Sequence, residues 1–211
     1  MKSKQLIFSL MVFFFVLIGF SQQTKLSDNE AVELRTDIVK KSESTSSIKS
    51  EFVQLKHLSF LSNDIKSSGM LYYKSPNFIK WEYQDPFVYS ATFKGDMLFI
   101  NDAGKKSDLD LSSNKAFKSL NNLVVKSVKG DLFDDTEFEI SYFKNNKNYS
   151  VHFIPKDKKL KKFISEFVIG FDKITFEVLS VKMLESSEDY TLLIFNNQQF
   201  NQPIADAVFD N

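Results

Sequence analysis

Gly69-Met70-Leu71-Tyr72-Tyr73-Lys74-Ser75-Pro76-Asn77-Phe78-Ile79-Lys80-Trp81-Glu82-Tyr83-Gln84-Asp85-Pro86 is the stretch whose reading decides the fold. Leu71 and Tyr73 alternate with Tyr72 and Lys74. Beyond Pro76, Ile79, Trp81 and Tyr83 alternate with Lys80 and Glu82. A period of two with the charges on one side predicts half-buried antiparallel strands. Pro76 and Pro86 bracket the second strand, because proline cannot donate to a ladder and sits at strand ends. The aromatic face must cover either a solid core or a cavity.

The same period extends in both directions. Upstream, Ile48 to Leu61 reads as a long strand carrying Phe52 and Gln54, and Ser62-Asn63-Asp64 as a turn. Downstream, Phe87, Tyr89, Ala91 and Phe93 alternate with Val88, Ser90 and Thr92. Lys94-Gly95-Asp96 then predicts a tight hairpin into Met97–Ile100, with a further strand at Lys105–Leu111. Phe138, Ile140 and Tyr142 alternate with Glu137, Glu139 and Ser141, and a turn at residues 145–148 leads into Tyr149, Val151 and Phe153. Phe163, Phe167, Ile169 and Phe171 are expected on one face, opposite Ile164, Glu166 and Val168. Ile174–Leu184 and Tyr190–Phe195 complete roughly ten strands. The lysine-rich run from Pro155 to Lys162 reads as a solvated loop.

Two segments break the period. Ser27-Asp28-Asn29-Glu30 is a capping box, and Ala31, Leu34 and Ile38 follow at helical spacing, which predicts a helix over 28–41. Ala116, Phe117, Leu120, Leu123, Val124 and Val128 recur likewise, with Ser113 able to cap the start and Gly130 the end. Two amphipathic helices therefore need a sheet face to cover.

Lys2 and Lys4 precede an apolar run from Leu6 to Phe20, and Gly19 and Ser21 are small residues placed for cleavage before Gln22. This predicts a secretory signal peptide over 1–21, with 22–211 as a single domain exported to the periplasm. There is no cysteine, hence no disulfide staple and no thiol for a lipid anchor. Net charge is zero for the whole chain, which gives no case for a nucleic-acid partner. Phenylalanine is abundant at 23 residues while Arg35 is the sole arginine. A coding bias explains both, so the placement of Phe carries the argument rather than its number.

Catalytic signatures are missing from the sequence: there is no nucleophile elbow, phosphate loop or His-Glu-x-x-His. His57 and His152 are read as structural or surface residues, and Asp108 and Asp110 lack further ligands. The expectation is a protein without enzymatic activity, cofactor or metal.

The order of capped helix, Ile48-Lys49-Ser50-Glu51-Phe52-Val53-Gln54, the Gly69 to Trp81 run, Pro86 and Lys94-Gly95-Asp96 resembles the periplasmic outer-membrane lipoprotein carrier, the LolA family. The resemblance implies a mainly β fold: a strongly bent antiparallel sheet forming an incomplete β-barrel, with amphipathic helices as a lid over an apolar cavity. It implies a monomeric periplasmic chaperone that takes lipoproteins from an inner-membrane ABC transporter to the outer membrane, where a receptor receives them. Their acyl chains would lie in the cavity. With three chains of roughly sixteen carbons and about 0.8 kcal/mol per methylene, unaided transit through water would cost on the order of 35 kcal/mol. On the sheet, Phe52, Leu71, Tyr73, Ile79, Trp81 and Tyr83 are the candidate acyl-chain contacts, joined by Tyr89, Phe93, Phe138 and Ile140. From the second helix come Phe117, Leu120 and Val124. An alternative on the same fold is a carrier or sensor of another envelope lipid or lipid-linked product. The pattern departs from the family at Ser75, where relatives often carry the arginine that ties lid to sheet. Lys80 likewise replaces an arginine, which leaves lid closure to other contacts.

Overall fold

The computed structural model describes residues 23–111, 133–185 and 187–210. Its N-terminal strands are β1 (Thr24–Lys25), β2 (Ser47–His57), β3 (Ile65–Lys74), β4 (Phe78–Asp85), β5 (Tyr89–Lys94), β6 (Met97–Asp102) and β7 (Lys105–Asp110). The C-terminal strands are β8 (Phe138–Lys144), β9 (Asn148–Pro155), β10 (Ile164–Asp172), β11 (Val178–Glu185) and β12 (Tyr190–Phe200). One helix, α1, spans Asp28–Glu43. The second expected helix, with Phe117, Leu120 and Val124, lies outside the described residues, as does the expected signal peptide.

All twelve strands belong to one antiparallel sheet in the order β1-β8-β9-β10-β11-β12-β2-β3-β4-β5-β6-β7. β1 and β7 end the sheet without meeting, so it is an incomplete barrel, with α1 as its lid. The joint between the two meanders is β12 against β2, where Phe195 faces Phe52 and Leu193 faces Gln54. In the opening stretch Leu71 pairs with Trp81 and Tyr73 with Ile79, and all four side chains are buried. Tyr72, Lys80 and Glu82 share the other face, as the alternation requires.

Several boundaries differ from the sequence expectation. β1 has two residues and no pattern of its own; it exists only by docking on β8. β2 stops at His57 because Leu58–Leu61 curls, the Leu61 amide donating to the Leu58 carbonyl at 2.8 Å. Ile174 belongs to a turn rather than to β11. The Asp172 Oδ1 accepts from the Ile174 and Thr175 amides, each at 2.8 Å, and Ile174 is left 86% exposed. β12 runs on to Phe200, five residues past the expected end. Phe163 does not share the inner face of β10. A register shift between Ile164 and Glu166 reverses the alternation, burying Ile164 and leaving Phe163 68% exposed.

α1 keeps the predicted start. The Glu30 carboxylate accepts from the Ser27 amide at 2.9 Å and from its hydroxyl at 2.7 Å. Leu34 and Ile38 are buried. The buried apolar residues form two clusters. The first joins Leu26, Leu34 and Ile38 to Phe138, Phe153, Phe167 and Phe171 on β8–β10. The second joins Ile48, Phe52, Leu71, Tyr73, Ile79 and Trp81 on β2–β4. A domain of this size ordinarily has one contiguous core. Here the two do not merge.

The outer face of β3–β5 carries the segment after β12. Lys74 donates to the Ile204 carbonyl at 2.9 Å and pairs with Asp206. Lys80 donates to the Val208 carbonyl at 3.0 Å, and Lys94 pairs with Asp210 at 3.2 Å. Phe209 is 1% exposed, its ring 5.6 Å from that of Phe78.

Candidate functional site

The gap between the two clusters is an open-mouthed cavity of about 1130 Å³, counting the space at its mouth. β10 supplies Phe167, Ile169 and Phe171, β11 supplies Val178, Val181 and Met183, and β12 supplies Leu193, Phe195 and Phe200. Ile48, Leu71 and Trp81 form the opposite wall, and Ile38 on α1 forms the roof. Each wall follows from period two: on β10–β12 the inward positions are large and apolar except at Thr191 and Gln198.

The few polar lining groups bond to the protein or sit at the mouth. Gln198 donates to the Val178 carbonyl at 2.9 Å, Ser50 to the Asn196 carbonyl at 3.0 Å and Thr45 to the Lys41 carbonyl at 2.8 Å. Lys41 and Glu177 pair at 2.8 Å across the mouth, and the Lys41 ammonium lies 4.3 Å from the centre of the Phe200 ring. The Ser42 hydroxyl beside them is buried without a hydrogen-bond partner. The interior is therefore mostly a surface of methyl groups and rings, interrupted by the Ser50 and Thr191 hydroxyls. Such a lining attracts long apolar chains.

α1 is held over this space at both ends. Near its start Glu30 pairs with Lys144, which holds the Glu30 carboxyl down from 4.5 to about 2, helped by the Ser27 amide. In its middle Arg35 pairs with Asp135 at 3.0 Å and donates to the Phe133 carbonyl, with its guanidinium 5.6 Å from the Phe133 ring centre. The one arginine of the chain thus ties the lid to the sheet from the helix side. Ser75, where the family resemblance expects an arginine, uses its amide on the Ser46 carbonyl at 2.9 Å.

Of the residues nominated from sequence, Leu71 and Trp81 line the cavity. Phe52 lies directly behind Trp81, rings 5.1 Å apart, and is fully buried. Tyr73 and Ile79 belong to the same solid cluster, with Tyr83 and Phe93 packed against it. Tyr89 touches Tyr83, rings 5.9 Å apart. Phe138 sits in the other cluster, with Ile140 packed beside it. The residues the sequence reading did not nominate are those of β10–β12. The inward run of Phe167, Ile169 and Phe171 was the available signal, but periodicity alone cannot tell a wall of a cavity from a core.

Each histidine pairs with a carboxylate. His57 Nδ1 is 2.8 Å from Asp64, with its ring stacked on Tyr190, and His152 Nδ1 is 2.7 Å from Glu166. Among the described residues no cluster of three or more His, Asp or Glu could hold a metal ion.

The sequence model of the family described as "Outer membrane lipoprotein carrier protein LolA" matches residues 43–211. The chain belongs to the LolA family. No curated protein matches the sequence. A solved structure of MucB superposes on this LolA-family chain with a TM-score of 0.52 at 12% identity, covering 88% of this chain and 64% of that one. The MucA/MucB complex of Pseudomonas aeruginosa gives 0.50 at 11%, covering 86% and 61%. The lipoprotein LppX of Mycobacterium tuberculosis gives 0.49 at 11%, covering 85% and 99%. At this identity the likeness to MucB is one of fold alone.

Proposed function

We propose that this protein is a periplasmic carrier of lipoproteins, holding their acyl chains in the cavity between its two apolar clusters. One observation carries the reading: an open-mouthed space with a mainly apolar wall, built from Phe167, Ile169, Phe171, Val181, Met183, Leu193, Phe195 and Phe200. The family description supports a lipoprotein as cargo. In this reading residues 22–211 act as one exported domain that binds rather than converts its cargo. An inner-membrane transporter supplies that cargo and an outer-membrane acceptor takes it.

Burying methylene groups there gains about 0.8 kcal/mol each, enough to keep an acyl chain out of water.

Trp81 is the only tryptophan and lies in the wall, so its emission reports occupancy. Adding a triacylated lipoprotein to the mature protein is expected to shift that emission and to keep the lipoprotein in solution. Val181→Glu, a charge in the wall, should abolish both effects while the protein stays folded. An unchanged emission with precipitating lipoprotein would refute the carrier reading. Equal protection of free phospholipid, without preference for the lipoprotein, would point instead to another envelope lipid as cargo.

A further inference from the structure

Among the described residues nine large apolar side chains stand exposed, and six of them crowd one rim of the sheet. Phe60, Leu61 and Ile65 are at the β2–β3 hairpin, 78%, 39% and 46% exposed. Phe87 and Val88 are at the β4–β5 connection, and Phe163 opens β10. Neighbouring strands lie about 4.8 Å apart, so the β4–β5 connection is about 10 Å along the rim from the β2–β3 hairpin, and Phe163 about 20 Å in the other direction. The other three exposed side chains are Val32 on α1, Leu109 near the end of β7 and Ile174 in the β10–β11 turn.

The same rim carries the lysine-rich loop. Lys156-Asp157-Lys158-Lys159-Leu160-Lys161-Lys162 leads directly into Phe163, and Lys158, Lys159 and Lys161 are all exposed. A basic loop ending in an exposed phenylalanine, on a line with other exposed phenylalanines, has the make-up of an interfacial anchor. The ammonium groups meet anionic headgroups and the rings enter the acyl boundary. A protein partner fits less well, because lysine is depleted and arginine enriched at protein interfaces, and the only arginine is spent on the lid.

The rim also connects with the cavity. Met183 and Thr191 face each other across β11 and β12 and both line the cavity, one residue pair from the hairpin at this end. A line of packed rings also runs from the rim to the cavity wall: Phe87 stacks near Tyr83 at 6.2 Å, Tyr83 meets Phe52 at 5.0 Å, and Phe52 meets the cavity residue Trp81.

We propose that this rim docks on an anionic bilayer surface, with Phe60, Val88 and Phe163 inserted and the 156–162 lysines on the headgroups. The proposal rests on the carrier reading for its purpose, yet it has its own readout. The mature protein is mixed with phosphatidylcholine vesicles with or without phosphatidylglycerol, and binding is followed by flotation. Binding to the phosphatidylglycerol vesicles, weakened by salt, is expected. Two variants, Lys158→Glu/Lys159→Glu/Lys161→Glu and Phe60→Asp/Phe163→Asp, should each bind at least about tenfold more weakly. Both should load a fluorescent fatty-acyl probe in solution as the wild type does, which also shows that they fold. No flotation of the wild type, or flotation unaffected by either variant, overturns the proposal. So does a rim required for a soluble protein partner but not for vesicles. Failure of the wild type to load the probe would count against the carrier reading instead, and leaves the flotation result readable.

Discussion

A methyl group added at Gly69 would sit 1.9 Å from the Glu82 carbonyl oxygen and 2.9 Å from the Tyr83 Cα. Both are backbone atoms and cannot rotate away, so β3 and β4 approach more closely there than any side chain permits. The ladder also shifts register between Ser68 and Gly69. Gly69→Ala should therefore lower stability by about 2–3 kcal/mol, seen as a lower urea midpoint. Glu30 gives the pH dependence. Its folded carboxyl titrates at about 2, against 4.5 unperturbed. A depressed folded value means that the stabilisation is complete above pH 4.5 and is lost as pH falls toward 2. Unfolding midpoints measured across that interval should fall, and Glu30→Gln should flatten the slope. At this scale the sequence was readable for the capping box, because both partners are local. The partners of Arg35, 98 and 100 residues away, were not.

Two elements hang on polar contacts that can be cut one at a time. The Lys41–Glu177 pair at the cavity mouth is worth about 0.5–1 kcal/mol. Lys41→Met should thus release a bound acyl probe about two- to fivefold faster in a stopped-flow chase, with little change in midpoint. The Arg35 tether reaches a backbone carbonyl as well as a carboxylate, and Arg35→Ala should cost about 1–2 kcal/mol on urea titration. The segment after β12 is held by Lys74, Lys80, Lys94 and the buried Phe209. Phe209→Ala should release it, and hydrogen exchange should then show loss of amide protection at 208–210 while β3–β5 stay protected. The strands were legible because alternation with a charged outer face is a local signal. The use of that outer face was not, because Lys74 and Lys80 read as ordinary solvated positions until the chain returns some 130 residues later.

For the molecule as a whole, the sequence by itself determined the antiparallel strands, through alternation like that around Gly69–Pro86, and the capped helix, through Ser27–Glu30 and the spacing after it. The incomplete barrel was implied only by the resemblance to the LolA family. Only the tertiary structure decided where the cavity lies. The sequence reading centred it on β3–β5, where Leu71 and Trp81 line the space while Tyr73, Ile79 and Phe93 belong to the apolar cluster beside it. Most of the wall lies further round, on β10–β12, between the two clusters. Period two states which side chains point inward. Whether an inward side chain meets another or meets a gap depends on the curvature of twelve strands, a quantity that no local pattern contains.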